Sequence, residues 1–102
     1  MKDVVCLSGS MRFFPAMLDL AALLTKQDKI VLAPFLLKNG DPELATMLDA
    51  LHQRKIALSN MLYVVAIGGD TGESTHREIA SAKLRGIPVI FWQPERAEGS
   101  VS

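Results

Sequence analysis

Residues 61–92, MLYVVAIGGDTGESTHREIASAKLRGIPVIFW, carry the pattern that decides the fold of this chain. Apolar runs of strand length form both ends of this stretch, and a segment with helical spacing lies between them. The helical segment is predicted to begin at Ser74 or Thr75 and to run to Arg85, where Gly86 suits the left-handed conformation that ends helices. A strand, a helix and a second strand in this order predict a βαβ unit with parallel strands.

The same alternation of strands and helices extends toward the N-terminus. Two further apolar runs precede the quoted stretch, and their near-continuous apolar character is typical of strands that helices cover on both faces. The predicted fold is therefore α/β: a three-layer, doubly wound parallel sheet of four to five strands, of the Rossmann or flavodoxin type, with the first strand central. The four predicted strands are 3–8, 29–33, 61–67 and 87–92.

Two more helices are predicted between these strands. Pro15 presets the first turn of one of them, while Asp41 and Pro42 form the cap and the first position of the other. Apolar residues recur in both segments at intervals of three and four, so each helix is expected to turn one stripe toward the sheet. The expected core-facing residues are Met17, Leu18, Ala21 and Leu24 in the first helix and Leu44, Met47, Leu48 and Leu51 in the second.

Length and composition indicate one domain. The chain has 102 residues, of which 49% are hydrophobic, enough for one modest core. We expect this domain to span residues 3–92 and to be followed by a mobile tail, 93–102, which has no apolar face to bury. A domain of this size buries a limited share of its surface, so a partner subunit is expected to complete any deep site. The prediction is a homo-oligomer, most simply a dimer.

Charge and cysteine content narrow the range of partners. The 11 basic and 11 acidic residues cancel, and no basic block offers a footprint for nucleic acid. The single cysteine, Cys6, lies in an apolar run, where it is expected to be buried and inert; this suits a reducing cytoplasm. No segment has the ~20 apolar residues of a membrane span, and no signal peptide is recognised. Neither metal-ligand spacing nor a dinucleotide motif is present, so we expect no metal and no cofactor.

Two loops of unusual composition follow strands of the predicted sheet. Ligands of open parallel sheets bind at the carboxyl ends of the strands, where these loops lie. The loop 8–12, Ser-Gly-Ser-Met-Arg, offers close amides, two hydroxyls and an arginine for phosphate or carboxylate, although an ordinary turn has the same spacing. The loop 68–78 combines three glycines with three hydroxyl residues before a helix. The candidate binding residues are Ser8, Gly9, Ser10, Arg12, Gly69, Asp70, Gly72, Ser74 and Thr75.

Glu78 lies near the start of the third predicted helix. A carboxylate at this place can attack or stabilise a sugar C1′ whose bond to a base is breaking, because such transition states have oxocarbenium character. A structural interpretation competes with this one. Thr75 and Glu78 have the spacing of a capping box, in which the glutamate bonds back to the amide of the cap residue. The spacing alone favours the capping box.

Segments 6–13, 48–56, 72–82 and 86–89 together resemble the nucleoside 2-deoxyribosyltransferase-like superfamily, and the similarity spans residues 3–92. This superfamily includes nucleoside deoxyribosyltransferases and 2′-deoxynucleoside 5′-monophosphate N-glycosidases. The resemblance implies an enzyme that cleaves or transfers the N-glycosidic bond of a nucleoside or nucleoside monophosphate.

Two motifs carry the resemblance into the candidate site. Residues 78–82, Glu-Ile-Ala-Ser-Ala, match an E-L-G-x-A segment, with Ala80 in place of glycine, and the resemblance makes Glu78 the nucleophile. Residues 9–12, Gly-Ser-Met-Arg, match a G-S-I-R loop that helps to hold the nucleotide. The resemblance assigns Ser8, Ser10 and Arg12 to the 5′ end of the substrate, and Ser74 and Thr75 to its sugar or phosphate.

The chain also departs from the superfamily. The enzymes carry an aspartate on the helix before the third strand, where this chain has His52, and Asn60 occupies a neighbouring site that is often aspartate. An imidazole can serve as an acid or a base near neutral pH, but a half-exposed structural histidine is an equal interpretation. Asp49, one turn earlier, supplies the missing carboxylate if the register differs. Catalytic candidates are thus Glu78, His52 and Asp49.

Two alternative functions are open. Phosphoribohydrolases once called lysine-decarboxylase-like have a P-G-G-x-G-T-x-x-E loop, but here Ile67 replaces the proline and three extra residues precede Thr75. The second alternative belongs to another class: a nucleotide- or nucleotide-sugar-binding module without catalysis. The replacement of acidic residues by His52 and Asn60 favours it.

Overall fold

A computed structural model describes residues 3–34, 41–69 and 72–94. Within these ranges, no helix combines the length and the apolar character needed to cross a membrane. The strands are β1 (Val4–Gly9), β2 (Ile30–Leu32), β3 (Met61–Val65) and β4 (Val89–Trp92), and the helices are α1 (Phe14–Lys26), α2 (Pro42–Leu58) and α3 (Glu73–Leu84), with 3-10 turns at Met11–Phe13 and Ile67–Gly69.

The described strands form one parallel sheet with the order β2-β1-β3-β4. β1 is central, as predicted: Val4 pairs with Ile30 of β2, and Val5 pairs with Met61 of β3. β2 is added on one side of β1, and β3 and then β4 are added on the other side. The order of the sheet therefore reverses between β1 and β3, and such a switch point is where doubly wound sheets bind ligands.

Helices cover both faces of this sheet, which confirms the three-layer, doubly wound α/β prediction. α1 covers one face through a buried apolar cluster, while α2 and α3 contribute Ile56 and Ala82 to a second cluster on the other. The first cluster consists of Val5, Leu7, Ala16, Met17, Leu20, Leu24 and Val65. The second consists of Cys6, Ile56, Leu62, Val64, Ala66 and Ala82.

Side chains alternate between the two faces along β1. Val5 and Leu7 lie in the cluster under α1, whereas Cys6 lies in the cluster under α2 and α3. Cys6 is a free, buried cysteine, and burial raises its pKa to about 12. The predicted burial of Cys6 is confirmed. By the same alternation, Ser8 is directed toward α2 and α3.

The start of α3 was predicted too late. The helix begins at Glu73, with Gly72 in extended backbone conformation as its N-cap and without a side-chain cap. Thr75 is consequently a buried residue inside the first turn, so it cannot be the cap of a capping box with Glu78. Glu78 is buried in the second turn of this helix.

The predicted core stripes of α1 and α2 are wrong in part. Leu18 is exposed on α1, and Leu44, Met47 and Leu51 are exposed on α2. The buried face of α2 is formed instead by His52 and Ile56, which are four residues apart and share one side of the helix. Leu48 is half-buried.

The C-terminal segment is described only as far as residue 94. Gln93 accepts a hydrogen bond from the amide of Gly68 at 3.3 Å, which places it beside the loop after β3. Residues 95–102 of the predicted mobile tail lie outside the described residues.

Candidate active site

A cleft of about 530 Å³ opens at the carboxyl end of β1, between α2 and α3. This position is beside the switch point of the sheet. Six lining residues belong to the set that the sequence predicted: Ser8, Gly9, Asp49, His52, Ser74 and Glu78. Six others were not predicted: Met11, Pro34, Ala45, Thr46, Leu48 and Arg77.

Three polar side chains meet at the floor of the cleft. Ser8 Oγ donates a hydrogen bond to Glu78 Oε1 at 2.5 Å, and His52 Nε2 lies 3.3 Å from Ser8 Oγ and 3.7 Å from Glu78 Oε1. Ser8 is 0%, His52 5% and Glu78 7% exposed. Each comes from a different element: β1, α2 and α3. Buried polar groups cost free energy unless they bond to one another, so their convergence marks a candidate site.

The cluster contains a serine, a histidine and an acid, but its geometry differs from that of a serine hydrolase. In such enzymes the histidine accepts the serine proton on one ring nitrogen, and the acid holds the other nitrogen. Here Ser8 and Glu78 both lie on the Nε2 side of His52, and the hydroxyl proton of Ser8 is directed to the carboxylate. In this arrangement His52 does not take the proton of Ser8, so Ser8 is not activated as a nucleophile.

Glu78 is not engaged in a helix cap. It lies in the second turn of α3, and its Oε1 bonds to Ser8 of β1 instead of bonding back to its own helix. The capping-box interpretation is therefore wrong, because α3 begins before Thr75. The carboxylate is thus held by a contact from outside its own helix, at the floor of the cleft.

Burial sets the ionisation of the cluster. Burial, and after it the nearby charge of Lys55, lower the pKa of His52 to about 4, although Asp49 and the backbone of Leu7 act in the opposite sense. Burial also raises the pKa of Glu78, an effect that the hydrogen bond from Ser8 opposes. His52 is consequently neutral at pH 7, where it can serve as a hydrogen-bonding group or a base. The interpretation of His52 as a half-exposed helix residue is wrong.

Lys55 fixes the wall of the cleft formed by α2. Its Nζ donates a hydrogen bond to the carbonyl of Ala33 at 2.8 Å, at the end of β2. Pro34, the next residue, lines the cleft. One contact thus ties α2 to the carboxyl end of the sheet and sets the distance between these two walls.

Gly9 occupies a position that no other residue fits well. Its φ is +153°, and a Cβ here would lie 2.6 Å from the carbonyl oxygen of Val65 and 2.9 Å from Cε of Met17. Glycine therefore lets β1 approach β3 closely where Ser8 enters the cleft. The sequence motif of small residues after β1 has this packing reason in addition to any contact with a ligand.

Several predicted binding residues lie elsewhere. Arg12 is exposed in the 3-10 turn Met11–Phe13, and its guanidinium carbon lies 4.9 Å from the centroid of the Phe13 ring. Asp70 lies outside the described residues. Three others are outside the cleft lining: Ser10, which precedes that turn, Gly72, the N-cap of α3, and Thr75, buried in α3. Gly69 ends the second 3-10 turn.

Arg77 is the cleft cation that the sequence did not indicate. Its Nη2 donates to Ser74 Oγ at 3.1 Å, one helical turn earlier. Because α3 begins at Glu73, Ser74 and Arg77 both lie within the helix, and residues three apart share one face of it. Across the described parts of the chain, no three His, Cys, Asp or Glu side chains are placed to hold a metal ion.

Comparisons with known proteins bear on the fold. No protein-family model and no curated protein sequence matches the chain. Among solved structures, a 2-deoxyribosyltransferase from the psychrotolerant bacterium Bacillus psychrosaccharolyticus is similar, with a TM-score of 0.70 and 14% sequence identity, over 97% of this chain and 76% of the other. The chain therefore has the fold of a 2-deoxyribosyltransferase, as its sequence resemblance to that superfamily implied.

Proposed function

We propose that the protein cleaves the N-glycosidic bond of a nucleoside or nucleoside monophosphate, or transfers its deoxyribosyl group, with Glu78 as the nucleophile. One observation carries the proposal: Glu78 is a buried carboxylate, free of any helix cap, at the floor of a cleft at the switch point of the sheet. The similar solved structure is a 2-deoxyribosyltransferase, which favours the same substrate class.

In the proposed reaction, Glu78 attacks C1′ of the sugar and the bond from C1′ to the base breaks. The electron pair of that bond passes to the base nitrogen, which takes up a proton from water in the open cleft. Asp49 lines the cleft one turn before His52 and can relay this proton. Water or a second base then attacks C1′ of the glycosyl ester, and the carboxylate of Glu78 is restored.

The two helical walls of the cleft differ in charge, and we assign the ends of the substrate accordingly. The α3 wall carries Arg77 beside Ser74, so it is assigned to the 5′ end or its phosphate. The α2 wall carries Asp49 and the apolar Leu48, so it is assigned to the base. Arg77 then takes the role that the sequence resemblance gave to Arg12.

A panel of nucleosides and their 5′-monophosphates tests the proposal. Each is incubated with the protein, and free base is measured by chromatography. Release of base from at least one compound is expected, and a second base added to the mixture separates transfer from hydrolysis. Failure to release base from any compound, with a compound still bound intact, would contradict the proposal.

A binding module without catalysis is the second candidate, and the neutral state of His52 favours it. With a pKa of about 4, His52 is not an imidazolium at pH 7 and therefore cannot serve as the general acid for a departing base. In this case a nucleotide binds intact, and calorimetry gives similar affinities for the unmodified protein and for Glu78→Gln.

We also propose a homo-oligomer in the cytoplasm. The domain is small, and the exposed apolar residues Met47 and Leu51 lie on α2, the helix that supplies Asp49 and His52 to the cleft. Light scattering at high protein concentration should show more than one copy, and a monomer would contradict the assembly. The cytoplasmic location rests on the single free cysteine, Cys6.

A further inference from the structure

The directions of the hydrogen bonds around Glu78 follow from counting protons. An ionised carboxylate only accepts, so the contact of 2.5 Å between Ser8 Oγ and Glu78 Oε1 uses the single proton of the hydroxyl. The Ser8 oxygen can then only accept from His52 Nε2, 3.3 Å away. Because His52 is neutral at pH 7, its one ring proton is assigned to Nε2.

The other ring nitrogen of His52 agrees with this assignment. Nδ1 is buried and forms no hydrogen bond of good geometry within the described residues, although the backbone of Leu7 acts on the ring and partly opposes the fall in its pKa. If the proton were on Nδ1, the protein would bury an unpaired N–H donor, and Nε2 would face Ser8 Oγ with no proton left between them. Orphaned buried N–H groups are rarer in proteins than under-satisfied acceptors. The Nε2–H tautomer leaves only a bare acceptor unpaired.

We propose, building on the proposed function, that Ser8 and His52 form a positioning pair for Glu78. His52 Nε2–H orients the Ser8 hydroxyl, and this hydroxyl holds Oε1 of the carboxylate. Both contacts of the carboxylate with the pair involve Oε1, which leaves Oε2 as the oxygen that attacks C1′. Ser8 is then a positioning residue, and not the contact with the 5′ end of the substrate that the sequence suggested.

Such a pair has two effects on a buried nucleophile. It keeps the carboxylate in one orientation, which favours in-line approach to the sugar. It also favours the charged form, since the hydrogen bond from Ser8 opposes the rise in the pKa of Glu78 that burial causes. The other ionisable groups near Glu78 or its partners are Asp49 and Lys55 on α2, Arg77 on α3 and Cys6 on β1.

The tautomer of His52 is the direct test, and it needs neither a substrate nor a variant. Nitrogen-15 NMR of the full chain at pH 7 distinguishes the two neutral tautomers by the chemical shifts of the ring nitrogens. We expect the Nε2–H form. An Nδ1–H form would overturn the proposal, because Ser8 would then have no donor to orient it.

Ser8→Ala tests the effect on Glu78, with Ser59→Ala as the matched control. Ser59 is also a buried serine, but its hydroxyl bonds to the carbonyl of Ile56, away from the cleft. In Ser8→Ala, the carboxyl carbon of Glu78 should titrate at higher pH by carbon-13 NMR. The kcat for base release should fall by about tenfold with little change in KM, as expected for loss of a hydrogen bond to a charged group. Ser59→Ala should change neither quantity.

Two His52 variants separate positioning from packing. His52→Gln places an amide N–H near the position of Nε2 and should restore most of the kcat, whereas His52→Leu should lose about as much as Ser8→Ala. Ser8→Ala with an unchanged kcat, or with an effect on KM alone, would overturn the positioning role. That result leaves the proposed function intact if Glu78→Gln is inactive. A third outcome is possible: the Nε2–H tautomer and the shifted titration of Glu78 are both observed, but the protein releases no base. This outcome would contradict the proposed function, and Ser8 and His52 would remain a positioning pair in a binding site.

Discussion

The two faces of the sheet are built from the same strands but bury different kinds of residue. Under α1, the buried cluster is entirely apolar, and β1 contributes Val5 and Leu7 to it. Under α2 and α3, an apolar cluster gives way at the carboxyl end of β1 to Ser8, His52 and Glu78. One face thus stabilises the fold, while the other gives up stability where its polar cluster forms the floor of the cleft.

The difference between the faces has a physical reason. Replacing a buried polar cluster by apolar residues of similar size is often neutral or stabilising, so stability alone does not account for a histidine and a glutamate in this core. Functional sites are where buried ionisable groups with displaced pKa values concentrate. We therefore expect substitutions under α1 to change stability, and substitutions of the polar cluster under α2 and α3 to change chemistry.

The largest effect on stability is expected under α1. Leu20 is 1% exposed and Leu18, two residues earlier on the same helix, is 54% exposed. Leu20→Ala should lower the free energy of unfolding by about 3 kcal/mol, because it removes buried methyl groups and leaves a cavity. Leu18→Ala should change it by less than about 0.5 kcal/mol. Urea unfolding measures both, and equal losses would contradict the assignment of the α1 face.

The largest effect on chemistry is expected under α3. Glu78→Gln keeps the size of the side chain and removes the nucleophile, so base release should fall by at least ~100-fold while the protein stays folded. Glu73→Gln, at the exposed first residue of α3, is the matched control and should retain normal release. Chromatography of free base and urea unfolding give the two readouts. Near-normal release of base by Glu78→Gln would contradict a catalytic role for Glu78.

The face of the sheet under α2 and α3, here called the polar face because it buries Ser8, His52 and Glu78, should also make the free energy of unfolding depend on pH. The pKa of His52 falls from 6.5 to about 4 on folding, so as the pH is lowered the unfolded chain binds this proton first, and stability is lost between these values. The loss is on the order of 3 kcal/mol. Glu78 acts in the opposite sense, because its raised pKa makes the folded chain take up a proton first.

Comparing the pH dependence of stability in the unmodified protein and in His52→Gln isolates the contribution of His52. Urea unfolding from pH 6.5 to pH 4 should show a smaller loss of stability in His52→Gln than in the unmodified protein. If both proteins lose stability equally, His52 is not a buried neutral histidine.

The smallest effect is expected at the rim of the cleft. Arg77→Ala should raise KM for a nucleoside monophosphate by about tenfold and leave KM for the matching nucleoside unchanged, because it removes one exposed contact to a phosphate. Lys83→Ala, exposed near the end of α3 and outside the cleft, is the control. A parallel rise in KM for both substrates would place Arg77 at another part of the substrate.

The sheet was predictable from sequence, whereas the orientation of the helices was not. Apolar runs of strand length and the loops that follow them identify the strands and the carboxyl edge where Ser8 lies. The start of α3 was missed because Gly72, which has no capping side chain, serves as N-cap and the hydroxyl residues suggested a later start. The buried position of His52 follows from how α2 packs on the sheet, which the apolar spacing of Leu44 and Leu51 misrepresented.

The central claim is that the polar face holds a nucleophile at Glu78, and mass spectrometry of the protein during turnover tests it most directly. The reaction with the best compound of the panel is quenched with acid, and the protein is digested and analysed. We predict a peptide that contains Glu78 and carries one added deoxyribosyl group, and we predict that Glu78→Gln lacks it. Turnover with no label, or with the label on Asp49, would contradict the account.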